Sequence, residues 1–166
     1  MIKSEMKKNM AVKRGYVIDN KGRLRHKTAL DKYYESGVLA LIQSPFSAEQ
    51  RKRAGEILAR DYYLGHYNTL QSIKYYESNI KSTGERGIEI SLYYKNKYLE
   101  AIKSIPHEFR EAVLRVCVED KKLVDKKEKT DKNLMDKNIV FYRKMLLVLG
   151  LERLLKYYLQ KNKKSS

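Results

Sequence analysis

The feature that most constrains this chain is a seam of apolar residues close to its C-terminal end. Val140, Leu147, Leu151, Leu154, Leu155 and Tyr158 recur at helical spacing over about five turns. A stripe of that length is stable in water only when other elements cover it, so the rest of the chain must supply packed partners. The pattern predicts a long helix from about Leu134 to Leu159 within an all-α, multi-helix domain. Two prolines and eight glycines in 166 residues leave long helices largely uninterrupted. Fourteen tyrosines against three phenylalanines and no tryptophan point to helix contacts whose phenol tips reach water.

Upstream, residues 1–15 have no hydrophobic period and read as a basic arm. Tyr16-Val17-Ile18 and Arg23-Leu24-Arg25 flank Asp19-Asn20-Lys21-Gly22, whose Asn and Gly suit the turn of a small hairpin. A short helix with Leu30, Tyr33 and Tyr34 is predicted from Thr28, with Gly37 placed for a left-handed cap. Ser47-Ala48-Glu49-Gln50 has the form of a capping box and should start a helix through Ala54, Ile57, Leu58, Asp61 and Tyr62 that ends near Gly65. Residues 68–87 lose the pattern and contain Ser82-Thr83-Gly84, which predicts a long loop or a broken helix. Ile88, Leu92, Leu99 and Ile102 describe the next helix, stopped at Pro106; Phe109, Val113, Leu114 and Val116 to Val118 describe the one after it.

The charge is segregated. Of the net +16, residues 1–27 contribute +7, residues 121–144 contribute +5 and residues 145–166 contribute +4. Residues 28–120 carry thirteen Lys/Arg and thirteen Asp/Glu and add nothing. Lysine spread over solvated faces by compositional bias would have made the middle basic too, so an anionic partner for the two ends is the better reading. A membrane surface fits less well, because the basic segments lack the aromatic-rich apolar face of an interfacial helix. The longest apolar run, Met145–Leu149, is far too short to span a bilayer, and the N-terminus has no stretch resembling a secretion signal. A cytoplasmic, nucleoid-associated protein without a membrane partner is expected.

Chemistry-bearing motifs are sparse. The single cysteine, Cys117, excludes an internal disulfide framework and reads as a small core residue; three scattered histidines have no zinc-ligand spacing. There is no phosphate-cradling glycine loop, catalytic carboxylate pair or Cys/His cluster, so neither enzymatic activity nor a cofactor is expected. The five Tyr-Tyr pairs suit single-stranded base stacking, but paired tyrosines on helices ordinarily have one ring in the core and its neighbour at the rim.

Two passages carry a resemblance. YYESGVL and AGEILARDY, Tyr33 to Leu39 and Ala54 to Tyr62, resemble a helical domain family of alphaproteobacteria, mostly of unassigned function, that also forms part of the transcriptional activator of gene transfer agents. The stretch from Ile105 to Tyr158 is similar to the same family, and also to the helix-turn-helix of sigma-factor region 4 and of phage late-gene activators. In that likeness IPHEFREAVLRV, Ile105 to Val116, stands for the first helix, and Asn133 to Tyr158 holds the recognition helix. The connector KKLVDKKEKTDK, Lys121 to Lys132, departs from it by lacking the glycine-containing turn. Charge and periodicity divide the chain into a basic arm at 1–27, a helical domain at 28–160 and a polar tail at 161–166. Within the domain, 28–104 would hold the N-terminal helices and 105–160 the helix-turn-helix-like part.

The implied function is that of a DNA-binding transcription regulator acting with RNA polymerase. The alternative is a helical protein-interaction module, an RNA polymerase adaptor or a phage-type assembly subunit, whose basic ends meet an acidic protein surface. On the first reading double-stranded DNA would be met by Lys126, Lys127, Lys129 and Lys132 of the connector, and by Lys137, Asn138, Arg143 and Lys144 of the last helix. Lys13, Arg14, Arg23 and Arg25 would extend the footprint as an arm. Arginine and asparagine read base edges; lysines chiefly anchor on phosphate.

Overall fold

A computed structural model of the chain describes residues 16–18, 24–76, 83–124 and 137–164, of which 16–18, 24, 67–76, 83–87 and 164 are described as backbone only. Two short strands, β1 (Tyr16–Ile18) and β2 (Leu24–His26), pair antiparallel with Val17 opposite Arg25, as the hairpin reading expects. The turn residues 19–22 lie outside the described residues. The other elements among the described residues are helices: α1 (Ala29–Glu35), α2 (Ala48–Tyr76), α3 (Thr83–Ser104), α4 (His107–Val113) and α5 (Lys137–Lys164). A 3-10 turn at Val38–Ala40 follows α1, and a π turn at Leu114–Val118 prolongs α4. The all-α class holds.

Local chemistry explains the element boundaries. Thr28 caps α1 by accepting from the Asp31 N–H at 3.2 Å, while the Asp31 carboxylate accepts from the Thr28 N–H at 3.0 Å, a reciprocal box that satisfies two orphan donors. Gly37 then adopts φ 74°, the left-handed cap its position predicts. The Ser47 box forms as well: the Gln50 N–H donates to Ser47 Oγ at 3.1 Å and the Ser47 N–H to Gln50 Oε1 at 2.8 Å. Pro106 sits at the N-cap of α4, where a missing donor costs nothing.

The core is gathered around α5, which packs against α4, α2 and α3. Leu147, Val148, Leu151, Leu154 and Leu155 are buried, and Val140 and Tyr158 lie half-buried at the ends of the seam. They meet Leu30 of α1, Leu39 of the 3-10 turn, Ala54 and Leu58 of α2, Ala101 and Ile105 at the end of α3, and Val113 and Val116 beyond it. One arginine belongs to this core. Arg51 is 1% exposed and donates to the carbonyls of Leu39 at 2.6 Å and Ile42 at 3.2 Å and to Ser44 Oγ at 2.7 Å, with Glu152 of α5 at 3.3 Å. A guanidinium's fan of donors suits a non-helical segment whose carbonyls would otherwise be buried unpaired.

Two expectations are corrected, the end of α2 and the end of the last helix. α2 does not end near Gly65 but continues to Tyr76; over 68–87, where a long loop or a broken helix is expected, residues 68–76 and 83–87 are helical, in keeping with the broken-helix reading. Gly65 is there for close approach. A Cβ on it would lie 2.8 Å from the Lys95 backbone nitrogen of α3, and Ser91 Oγ donates to the Gly65 carbonyl at 2.8 Å. α3 forms as its spacing predicts, with Ile88, Leu92 and Leu99 exposed by 39–52%. The helices approach so closely that α3 buries its small residues Ser91 and Ala101, with Tyr98 and Ile102 beside them, and turns the neighbouring aliphatic stripe outward. At the far end, α5 runs to Lys164 rather than ceding to a tail at residue 161.

Gly65→Ala is therefore expected to destabilise the protein, although alanine is the better helix former by about 1 kcal/mol. Overpacking against backbone costs roughly 1–3 kcal/mol, and a urea midpoint below that of the wild type is the expected sign. A raised midpoint would refute the close-packing account.

Candidate nucleic-acid interface

The start of α1 gathers four parts of the chain. Asp31 is 1% exposed, and its carboxylate accepts from both guanidinium nitrogens of Arg25 on β2, at 2.5 and 3.1 Å, and from Lys52 of α2 at 2.8 Å. Burial by itself would raise its pKa; the bonds from Arg25, Lys52 and Thr28 outweigh that and hold the carboxyl well below the usual carboxylate range. From the other side Asp120, held at φ 53°, accepts from the Ala29 N–H at 2.5 Å. It thereby supplies a carboxylate to the positive end of the helix from 91 positions along the chain.

The residues after Asp120 are fixed at the same place. The Leu123 N–H donates to the Tyr33 hydroxyl at 2.9 Å, its carbonyl accepts from Arg143 of α5 at 3.0 Å, and Arg115 donates to the Lys122 carbonyl at 2.7 Å. Leu123 and Val124 are buried by this arrangement. The consequence is geometric. The basic segment 1–27 joins the body at Thr28 and Ala29, and the basic segment 121–144 leaves it at Asp120 and is bonded back to it by the Leu123 N–H on the Tyr33 hydroxyl and by Arg115 on the Lys122 carbonyl. Both are attached at one site. Charges brought within about a Debye length, ~8–10 Å, reinforce one another toward an anionic partner.

The sequence-predicted residues divide as follows. Lys137 and Asn138 are exposed on the first turn of α5, Lys144 is half-buried one turn before the core seam, and Arg143 and Arg25 have guanidinium bonds to the body. Lys13, Arg14, Arg23, Lys126, Lys127, Lys129 and Lys132 lie outside the described residues. α4 and α5 pack together, but residues 119–136 separate them, a stretch several times the three- to four-residue turn of a compact helix-turn-helix. From Leu147 onward one face of α5 is core, so its first turns are the part that exposes most of its circumference. Those turns also expose Ile139, Phe141 and Tyr142. Lys121 and Lys122 are exposed beside the attachment site and extend the connector lysines; their place in the same lysine-rich run was the signal for them. Asp31, Lys52 and Asp120 had none.

The remaining candidates keep their structural readings. Cys117 is buried and burial pushes its thiol up to about 12, far from a reactive thiolate. Tyr33 and Tyr34, Tyr62 and Tyr63, and Tyr94 and Tyr93 each pair a half-buried ring with an exposed one. Among the described residues no group of three or more His, Cys, Asp or Glu is placed to hold a metal ion, and no helix is long and apolar enough to cross a membrane.

Asp31→Asn tests the attachment site. A carboxyl with a depressed folded pKa adds stability that is fully present above its unfolded value of about 3.9 and is lost as pH falls toward the folded one. The variant is expected to be about 1–3 kcal/mol less stable at pH 7, with the gap closing below about pH 4. A gap constant between pH 7 and pH 3 would contradict the ion-pair assignment. Comparison with protein-family models, with curated proteins and with solved structures gives no match to this chain.

Proposed function

We propose that the protein is a duplex-DNA-binding transcription regulator that grips the phosphate backbone through its two basic segments. The observation that carries this reading is the common attachment of those segments at the start of α1, beside a stretch, residues 28–120, that has no net charge. Phosphate contact supplies most non-specific affinity and is strongest with clustered cations, which two basic segments rooted at a common point would supply. The exposed first turn of α5, with Lys137 and Asn138, is the end from which a recognition helix reads base edges. Action together with RNA polymerase follows from the resemblance to sigma-factor region 4 and is part of the proposal.

A second reading, a helical protein-interaction module, is favoured by one specific observation. Ile88, Ile90, Leu92 and Leu99 of α3 and Ile139 and Phe141 of α5 are exposed, more apolar surface than a helical body leaves bare at random. An RNA polymerase adaptor or a phage-type assembly subunit would use such faces.

The test is the salt dependence of duplex affinity for the full chain. The log of the binding constant should fall against log salt with a slope of roughly −0.9 per phosphate neutralised. Lys126→Glu with Lys127→Glu should reduce that slope by about 2, whereas Lys103→Glu on the neutral body should leave it unchanged. Absence of duplex binding at low salt, together with salt-independent capture of RNA polymerase, would replace the first reading by the second.

A further inference from the structure

A shallow pocket of about 260 Å³ opens where α2, α3 and α5 meet, at the end of α5 remote from the attachment site. Ile57 and Tyr158 line it, and three cations reach it from three helices: Arg60 of α2, Lys97 of α3 and Lys161 of α5. Asp61 is the one carboxylate among the lining residues. It is 1% exposed and accepts from Arg60 Nε at 3.1 Å and Nη2 at 2.9 Å, which holds the guanidinium at the pocket wall. Two rings flank the opening, each with an ammonium over it: Lys97 lies 4.7 Å from the centroid of Tyr93 and Lys161 5.7 Å from that of Tyr157.

Arg60 and Lys97 belong to residues 28–120, which carry no net charge, so their convergence with Lys161 on a walled opening is a local departure from the surface around them. Solvated lysines do not require an aromatic wall. Cationic donors converging from three directions select an anionic group through charge-assisted hydrogen bonds, and the tyrosine rings between them offer surface to a flat ring. The volume, just under the ~300 Å³ at which drug-sized sites begin, admits one ring system with a small anionic substituent. A nucleic-acid strand is the wrong occupant, because it needs a basic track to follow. Outside the pocket α3 instead exposes Ile88, Ile90 and Leu92.

We propose that this pocket binds a free mononucleotide, its phosphate among Arg60, Lys97 and Lys161 and its base against Tyr93 and Tyr157. Glu100 is the built-in competitor. Its carboxylate accepts from Lys161 and from the Tyr157 hydroxyl, the latter at 3.0 Å, and so occupies the ammonium that the phosphate would engage. The proposal does not rest on the DNA reading and concerns a different end of the molecule.

The full chain should be titrated by calorimetry with AMP, inorganic phosphate, adenosine and a single-stranded oligonucleotide. AMP is expected to bind saturably, and phosphate or adenosine alone about tenfold more weakly, since each supplies half of the contacts. Lys97→Met and Lys161→Met, both at the protein surface, should each weaken AMP binding by about tenfold, and Glu100→Gln should tighten it. The proposal is overturned by any of three results: no saturable AMP binding, phosphate binding as tightly as AMP, or lysine variants that bind AMP like the wild type. Tighter binding of the oligonucleotide through the same residues also overturns it, in favour of a strand-binding groove.

Discussion

The start of α1 is the contact on which the arrangement of charge in this protein depends. A buried aspartate is costly unless cations answer it, and Asp31 is answered by Arg25 from the hairpin and Lys52 from α2. That pairing fixes the hairpin to the helical body. Asp120 completes the site from the opposite side by capping the same helix, in a left-handed conformation that a non-glycine residue adopts only when its side chain has a local use. Removal of either acid would leave donors of one element unpaired and would loosen the attachment of one basic segment. Structural acids thus decide where the basic ends of the molecule are held.

Helix packing supplies the frame for this site. α5 contributes the long seam, and α2 and α3 close on one another through Gly65 until Ser91 reaches a backbone carbonyl across the interface. Arg51 then does for the irregular segment between α1 and α2 what a ladder of backbone bonds does elsewhere, with hydrogen bonds to two carbonyls and a hydroxyl. Its cost of burial is offset by those bonds and by Glu152, so the segment needs no secondary structure of its own.

Much of the fold was legible in the sequence because local rules governed it. The seam of α5, the Ser47 box and the turn at Gly37 each follow from residues within a few positions of one another. The misreading of Gly65 has another cause. Glycine signals both a helix stop and a close helix crossing, and only the partner helix distinguishes them, so Gly65 read as a terminus. In α3 two stripes of helical period run side by side, and the more hydrophobic one is outside because the crossing demands small residues inside. At the candidate interface the segregation of charge was visible by counting, whereas the bond from Ala29 to Asp120 joins positions 91 apart and leaves no trace in spacing. The pocket at the other end of α5 is equally invisible, since its cations come one from each of three helices.

Charge clustered at one attachment site is the central claim, and mapping backbone amide shifts as a short duplex is added tests it most directly. The account predicts that perturbations gather at residues 24–29, 119–124 and 137–144, fade as salt is raised, and spare the exposed stripe of α3 at residues 88–99. Perturbations centred on that stripe, or a set that leaves the start of α1 untouched, would contradict it.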